Sequence, residues 1–494
     1  MGDTSLPFVS IITVNFNGIF FLKTLFDSIA SLDYPQEKLQ VIMVDNGSTD
    51  CSVSFVKINY PKVKILEIKK NLGFAGGNNA GIKIAEGDYI AFINNDCVVE
   101  KGWLLSLINT LKEKEGKNIK IGGAGSKVLF YFKYLPLKIS AGRIFEKNPV
   151  SESSDEFLAI IKGLKINAGS EDSLKKELTA EDTYRKNLYK FADKSFKYLT
   201  GFYETGRDAD KNIIRKIKND GVVWIPVAAT GKDLELDMQV SFIKPGLDIK
   251  MSIEDEDIFY SKVPSHPSFN DKSTNEPDFV KLALKIPKEK LMHSRSIINS
   301  CGSMINKAFY AREINYESPD VKLDEKPFEV FALPGSSFII NKKLALETGL
   351  FDEKFFTYYE DIDLFWRAAL KGWRFFAVPG SVARHFHCGS GEEWSYGFTY
   401  HVLRNRLLMI YRCCWFTGFL KNYLSFCAVA FVNLLYLAAA KARKRNIHRP
   451  DIPIRARIFF EFFILMVTNL GKRIKIRTGA KIMDKAIKKW QQSF

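Results

Sequence analysis

From Val9 to Asp96 the chain alternates short apolar runs with helix-like stretches, and each run ends in a polar or glycine-bearing loop. Val9–Val14 reads as a buried strand that ends in Asn15-Phe16-Asn17-Gly18, and residues 20–32 then carry apolar residues at helical spacing. Residues 40–44 form a second strand, followed by the run from Asp45 to Asp50, where Ser48 or Thr49 is placed to cap a helix with Asp50 in its first turn. Residues 63–68 form a third strand, and Asn71-Leu-Gly-Phe-Ala-Gly-Gly-Asn-Asn79 reads as a glycine-rich loop opening a helix that runs to about Ala85. Residues 89–93 form a fourth strand, with Asn94-Asn95-Asp96 at its end. Repeats of this length imply parallel pairing through right-handed crossovers, and ligands of such sheets bind beyond the carboxyl ends of the strands. Asn15, Asp45, Asn46, Phe74, Asn78 and Asp96 should therefore converge on one crevice. There Asp45 can accept from a pyrimidine ring N–H, and Asn78 can hold a ribose or sugar hydroxyl. Taken singly, Gly76-Gly77 and Asp45-Asn46-Gly47 are ordinary turn signals; their common edge is what makes them a site.

A second acidic cluster, Tyr359-Glu360-Asp361-Ile362-Asp363, lies far downstream. A carboxylate at a strand end can hold a divalent cation on a diphosphate, while a distant one takes a proton from an attacking hydroxyl. Glu360, Asp361 and Asp363 would raise one another's pKa values. The plainer alternative is that they start the helix of residues 362–370, since acids favour helix N-termini.

Together these segments resemble the inverting family 2 glycosyltransferases of GT-A fold, in particular their rhamnosyltransferase-like branch. The likeness extends to Gly335-Ser-Ser-Phe-Ile-Ile340, Gly349-Leu-Phe-Asp-Glu-Lys-Phe-Phe356, Gly372-Trp373 and His385-Phe-His387, and covers roughly residues 7–130 and 293–412. It implies transfer of a sugar, with dTDP-rhamnose the favoured donor, to a glycan or lipid-linked acceptor in polysaccharide or glycolipid assembly. It implies a donor site of Val14, Asn15, Asn17, Asp45, Asn46, Ser48, Phe74, Ala75, Asn78, Asn94, Asn95 and Asp96. Asp361 is implied as the catalytic base, with Glu360, Asp363 and Trp373 on the acceptor side. A divalent metal, Mg²⁺ or Mn²⁺, would be held by Asp96 and His385, with His387 as the substitute. The family's DxD element reads Asn-Asn-Asp here, so the metal site has lost one carboxylate. A catalytically inactive glycan- or nucleotide-binding protein is the competing reading. A metal-dependent hydrolase is the third, and no nucleophile constellation supports it.

The rest of the chain divides by composition. The expected order is an α/β GT-A half at 1–146 with a mostly parallel, Rossmann-like sheet, then an inserted β-rich domain, a probable sandwich, at 147–292. The acceptor half follows at 293–412, and a basic, apolar helical tail at 413–494. Within the insertion, residues 170–220 are Lys-rich with helical spacing, whereas residues 222–226, 234–242, 247–253 and 279–286 alternate like strands. From Leu403 onward there are 19 Lys and Arg against three acids, which accounts for the whole net charge of +16. The uncharged run Asn422–Ala440 argues for an anionic membrane surface over nucleic acid as partner, with the segment lying in the interface, or else spanning the bilayer, or third, buried in a helical bundle. Seven Cys without C-x-x-C spacing suit reduced thiols, and the polar start, Met1 to Pro7, does not read as a secretory signal. The expected location is the cytoplasmic face of the cell membrane.

Overall fold

The structure is a computed structural model that describes residues 6–142, 159–167, 197–207, 213–228, 233–242, 248–262, 280–321, 326–387, 395–442, 451–482 and 487–492. Two compact units are present, one of residues 1–131 with 298–494 and one of residues 132–297.

The first unit begins as the alternation requires. Strands β1 (Val9–Asn15), β2 (Leu39–Asp45), β3 (Lys64–Glu67) and β4 (Tyr89–Ile93) pair in parallel in the order β3-β2-β1-β4. Helices α1 (Ile19–Ala30), α2 (Ser52–Asn59) and α3 (Gly73–Lys83) connect them. Successive strand residues point to opposite faces. Ile12, Ile42, Val44, Ile90 and Phe92 enter one core, while Ile11, Met43, Ala91 and Ile93 enter another. Burial on both faces is why these strands are continuous apolar runs.

Two local expectations are corrected. The glycine stretch is not a loop: α3 starts at Gly73, so Gly76 and Gly77 lie inside the helix. A Cβ on Gly77 would lie 2.6 Å from Val14 Cγ1, and one on Gly81 would lie 2.7 Å from Ile12 Cγ2. The glycines let the helix backbone lie directly on β1. Ser48 and Thr49 do not cap α2, whose N-cap is Cys51. Ser48 Oγ instead accepts from Asn17 N at 2.9 Å, and Thr49 N donates to Asn17 Oδ1 at 2.7 Å, tying the β1 and β2 loops together.

Strand β5 (Cys97–Val99) and helix α4 (Trp103–Gly116) follow, and then the long strand β6 (Ile121–Gly142). The unit of residues 132–297 contains, beyond the end of β6, strands β7 (Ala159–Asn167), β8 (Lys197–Arg207), β9 (Ile213–Val227), β10 (Leu234–Phe242), β11 (Asp248–Ile253), β12 (Glu256–Lys262) and β13 (Val280–Ile286). The pairings within it are antiparallel. The helical spacing read across residues 170–220 is overturned where the chain is described: residues 197–207 and 213–220 are strand. The apolar residues there (Ile213-Ile-Arg-Lys-Ile-Lys) do fall at helical spacing, at i, i+1 and i+4, and cross-strand pairing with β7 and β8 overrides it. Residues 170–196 and 208–212 of that stretch lie outside the described residues.

The first unit resumes with β14 (Arg295–Ser300), β15 (Ser303–Asn306), β16 (Ala311–Glu313), β17 (Phe328–Val330), β18 (Ser337–Asn341), α5 (Lys342–Thr348), α6 (Glu360–Leu370) and β19 (Arg374–His385). Strand β18 pairs antiparallel with β4 on one side and with β6 on the other, and β19 runs parallel to β6. The result is a mixed sheet, parallel through its N-terminal half. Three long helices follow among the described residues: α7 (Tyr396–Cys413), α8 (Phe416–Ala442) and α9 (Asp451–Thr478). Phe419, Phe426 and Ala430 of α8, with Ile454, Ile458 and Phe462 of α9, join the core that contains β1 and β4. Their other faces leave Leu424, Phe431, Val432, Leu435, Phe463 and Val467 exposed.

Candidate active site

At the ends of β1, β2 and β4 the amide side chains build a buried lattice. Asn15, fully buried, donates from Nδ2 to Asp45 Oδ1 at 3.4 Å and Ser48 Oγ at 3.1 Å. Its Oδ1 accepts from Asn95 Nδ2 at 3.0 Å. Asp45 Oδ2 accepts from Ser48 N at 3.1 Å, and Asn46 bridges Asn71 Oδ1, Gly73 O and Leu72 N. Asn78 is 2 % exposed and donates to Phe74 O at 3.0 Å. Asn15, Asp45, Asn46, Ala75 and Asn78 thus form the wall behind the crevice, while Val14, Ser48, Phe74, Asn94 and Asn95 are half-buried and Asn17 exposed. The expectation that Asp45 and Asn78 present free polar atoms to a ligand meets side chains already engaged in that wall.

Asp96 lies at the β4 end beside His385. His385 pairs in register with Cys97 across β5 and β19, which brings its Nε2 to 3.2 Å from Asp96 Oδ1. The other ring nitrogen, Nδ1, is 3.0 Å from Asn299 Oδ1. Burial pushes the Asp96 carboxyl up, but the charge and hydrogen bond of His385 outweigh it and hold the group below the usual carboxylate value. Cys97 Sγ, Asp96 and His385 place their ligand atoms within 4.8 Å of one another. The thiol is a poor ligand here: burial and Asp96 raise it well above its ordinary value, and it points to Ser336 O at 3.8 Å. Asp96 and His385 remain, an oxygen and an imidazole nitrogen with the imidazole oriented from behind, a donor set that suits Mg²⁺ or Mn²⁺ completed by substrate oxygens. His387, the expected substitute, lies close by: its ring is edge-on to that of His385 at 5.7 Å, and its charge adds to the lowering of the Asp96 carboxyl. It follows the end of β19 with φ 55°, and its ring packs edge-on to Phe130 at 5.4 Å.

Gly335 and Ser336 carry the link to the second acidic cluster. Ser336 O accepts from Asn94 N at 3.0 Å, and a Cβ on Gly335 would lie 2.7 Å from Asp361 Oδ2. Asp361 is therefore brought beside residues 94–96. Its Oδ1 accepts from Ile362 N at 2.7 Å. Burial raises its carboxyl to about 6, against the backbone hydrogen bonds that lower it. Glu360 is 6 % exposed, its Oε2 has no hydrogen-bond partner, and burial together with Asp361 and Asp363 pushes it well above the usual range. Both carboxyls are thus raised, Glu360 by burial and by the charges of Asp361 and Asp363, Asp361 by burial.

The approach to α6 is backbone in the left-handed region: Phe356, Tyr358 and Tyr359 have φ of 64°, 66° and 70°. Such residues persist only where the surroundings over-determine them. Asn405 of α7, fully buried, does so by donating from Nδ2 to Phe355 O, Thr357 O and Tyr358 O at 2.8, 2.9 and 2.9 Å. Tyr359 Oη also accepts from Ala311 N at 3.2 Å.

Two acceptor-side expectations are not met. Asp363 has no exposed surface; Arg367 Nε donates to its Oδ2 at 2.7 Å, and it serves the inside of α6. Trp373 is 7 % exposed and packs under Lys120, whose ammonium lies 4.2 Å from the ring centroid. Glu313 is in the site and was missed. Both Ser300 and Ser303 donate to its carboxylate; burial, with Asp361 adding its charge, raises it to about 7. Glu313 sits on a three-residue strand with no motif around it, and Asn405 lies between two arginines on a helix, so neither stands out by residue type or spacing.

Residues 10–146 match the model of Glycosyl transferase family 2. Over 111 residues it is 30% identical to the glycosyltransferase AglE of Haloferax volcanii, covering 22% of this chain and 36% of that protein. Over 126 residues it is 32% identical to the poly(ribitol-phosphate) beta-glucosyltransferase of Bacillus spizizenii, covering 24% and 20%. The crystal structure of S. aureus TarS residues 1–349 with UDP-GlcNAc aligns with 21% identity and a TM-score of 0.22 over 31% of this chain and 39% of that one. The chain spans about a third or less of the length of the two curated relatives named.

Proposed function

We propose that this chain is a sugar transferase that takes a glycosyl group from a nucleotide-diphosphate sugar and passes it, with inversion, to a hydroxyl of a glycan or lipid-linked acceptor. The observation that carries the reading is the Asp361 carboxylate, set beside the Asn94–Asp96 strand end through Ser336 and Gly335 in a chain whose N-terminal part matches a glycosyltransferase family. In the proposed step the acceptor oxygen forms a bond to the anomeric carbon while its proton passes to Asp361. The bond from that carbon to the diphosphate oxygen breaks with its electron pair on the leaving nucleoside diphosphate. Asp361, raised by burial to about 6, is ionised at neutral pH yet a stronger base than an ordinary aspartate. A divalent cation held by Asp96 and His385 would neutralise the leaving diphosphate. The buried amide lattice fixes the loops that bind the donor, and Glu313 faces the acceptor side with Asp361.

The resemblance to the rhamnosyltransferase-like branch makes dTDP-rhamnose the first donor to try. The relatives named as a beta-glucosyltransferase and as a UDP-GlcNAc-binding protein put UDP-glucose and UDP-GlcNAc beside it. Beta products from the α-linked nucleotide donors of these sugars fit the inverting stereochemistry. One helix among the described residues, Phe416–Ala439, is long and apolar enough to cross a membrane, and only 11% of its apolar window is buried. Together with the basic tail this supports a position on an anionic membrane surface at the cytoplasmic face, next to a lipid-linked acceptor. The unit of residues 132–297 is assigned a bracing or acceptor-binding role, not a catalytic one.

Asn94 in place of the first carboxylate of the DxD element favours a second reading, an inactive sugar-nucleotide binder. One experiment separates the two. Thermal stabilisation by nucleotide sugars is screened with and without Mg²⁺ or Mn²⁺, and release of nucleoside diphosphate is then followed with the donor that stabilises. Metal-dependent stabilisation with release that requires acceptor supports the transferase. Stabilisation without release under any acceptor supports the binder.

A further inference from the structure

A hollow of about 580 Å³ opens on the first unit away from Asp96 and Asp361, between the loop that follows α5 and the ends of α6, α7 and α9. Its size is that of small-molecule sites. Lys354, Arg367, Lys371, Arg412, Lys472 and Lys475 line it. The acids beside them are already engaged. Asp352 is shared by Arg412 at 2.7 Å and Lys472 at 2.6 Å. Lys120 holds Glu347 at 2.9 Å, and Asn79 Nδ2 donates to Glu353 at 3.1 Å. Lys354 and Lys475 have no side-chain partner among the described residues. Arg412, 3 % exposed, forms the floor, with an Nε that lacks a hydrogen-bond partner. Surplus positive charge over a buried guanidinium favours a phosphate group.

Position narrows the source. Lys472 and Lys475 close α9, and the same helix exposes Phe460, Phe463, Ile464, Val467, Leu470 and Ile474. Helix α8 adds Leu424, Val432, Leu435 and Tyr436 to the exposed apolar surface of this unit. We propose that the hollow receives the phosphate of an anionic phospholipid headgroup whose acyl chains lie against those apolar faces. The proposal deepens the membrane reading above and rests on it. It converts a diffuse polybasic attraction into a headgroup site, joined through Arg412 to the helix that carries Asn405.

The test uses the full chain and two sets of vesicles of equal surface charge, phosphatidylcholine with phosphatidylglycerol and phosphatidylcholine with oleate. A diffuse attraction, roughly 1 kcal/mol per Lys or Arg near the surface, does not distinguish phosphate from carboxylate. The expected result is binding at least about tenfold tighter to phosphatidylglycerol, equivalent to about 1.4 kcal/mol. Lys354→Gln combined with Lys475→Gln should abolish that preference, and Lys421→Gln, exposed on α8, should leave it intact. Equal binding to both vesicles by the unmodified protein overturns the headgroup site but spares the membrane reading; binding to neither overturns both. A preference that survives Lys354→Gln/Lys475→Gln places the phosphate elsewhere and overturns the proposal. Titration with inorganic phosphate supplies the last arm. Stabilisation by inorganic phosphate that depends on Lys475, without a phosphatidylglycerol preference, identifies a soluble anion and overturns the lipid.

Discussion

Gly335 and Asp361 are fitted to each other: a Cβ on residue 335 would lie 2.7 Å from Asp361 Oδ2, closer than real Cβ atoms approach their neighbours. Gly335→Ala should therefore displace the proposed base without touching the donor loops. A displacement of about 1 Å costs on the order of 10²-fold in rate. Turnover should fall by about that factor while nucleotide-sugar affinity stays within about threefold, since the neighbouring Asn94–Ser336 backbone bond remains. Parallel measurement of transfer rate and donor binding checks this; unchanged turnover would mean that Asp361 does not act from its observed position.

Asp361→Asn keeps the size and the hydrogen bond from Ile362 N but cannot take a proton. Turnover should drop by about 10²–10⁴-fold with donor binding retained. The pH dependence follows from direction. A carboxyl raised to about 6 is a base only above that value, so turnover should rise with pH through about 6 and level off beyond it. The pair Glu360–Asp361 titrates together, so the limb reports an apparent value of both. A flat profile from pH 5 to 8 in the unmodified protein would remove Asp361 from the role of base. Glu360→Gln, which leaves the Asp361 carboxylate in place, should cost much less.

Asp96→Ala should abolish metal-dependent donor binding and leave the fold intact. Asp96 Oδ1 and His385 Nε2 are 3.2 Å apart, and the main chain on either side is held independently, with Phe386 N donating to Asp96 O at 3.0 Å. Calorimetry with Mn²⁺ and the donor checks it. His385→Ala should weaken the metal dependence less than Asp96→Ala, because the carboxylate supplies the charge. Unaltered affinity in Asp96→Ala with metal present would place the cation elsewhere.

The N-terminal sheet was legible because a strand buried on both faces must be an uninterrupted apolar run, as Ile11, Ile12, Ile42, Met43 and Val44 show. Asp96, His385 and Asp361 were legible through motif resemblance, and the structure brings them to one end of the sheet. What the residues of Asn71–Asn79 hid was the reason for their glycines. Gly77, inside α3, is required by contact with Val14 on β1, which local turn chemistry does not contain. Asp363 was misplaced because acids two residues apart at a helix start point to different sides, and only packing decides which one meets Arg367. Glu313 and Asn405 act through contacts with chain far away in sequence, at Ser300 and Ser303 or at residues 355–358, where spacing carries no signal. The tail was read as a separate basic segment, yet Phe419, Phe426, Ile458 and Phe462 belong to the core of the N-terminal sheet.

Asn405→Ala removes the donor that three carbonyls share in the left-handed approach to α6. Leaving buried acceptors unsatisfied costs about 1–3 kcal/mol, so the midpoint of denaturant unfolding should fall accordingly. Turnover should fall further than that loss explains, because Phe356, Tyr358 and Tyr359 would relax toward ordinary φ and carry Asp361 with them. Assay at a temperature where the variant is fully folded separates the two effects. Wild-type turnover there would make Asn405 a purely structural residue.

Asp352 is one of the carboxylates of the first unit whose depressed value contributes to acid stability. Burial raises its carboxyl, but the charge of Arg412 and the hydrogen bond from Lys472 outweigh that and bring it down to about 2 from an unperturbed 3.8. A depressed carboxyl contributes stability that is fully present above its unfolded value and is lost as pH falls through the folded one. The window is therefore from about pH 4 down to about pH 2, and the shift corresponds to about 2 kcal/mol. Lys472→Met removes one of the two cations, so the folded value should rise and the pH dependence in that window should flatten. Arg412→Met is the harsher change, because it also abandons Asp363, which Arg412 approaches to 3.8 Å inside α6. Urea denaturation of the full chain at pH 2.5, 3.5, 5 and 7, with and without Lys472→Met, provides the measurement. An unfolding free energy in Lys472→Met that changes with pH as steeply as in the unmodified protein would show that Asp352 does not hold its charge through Lys472.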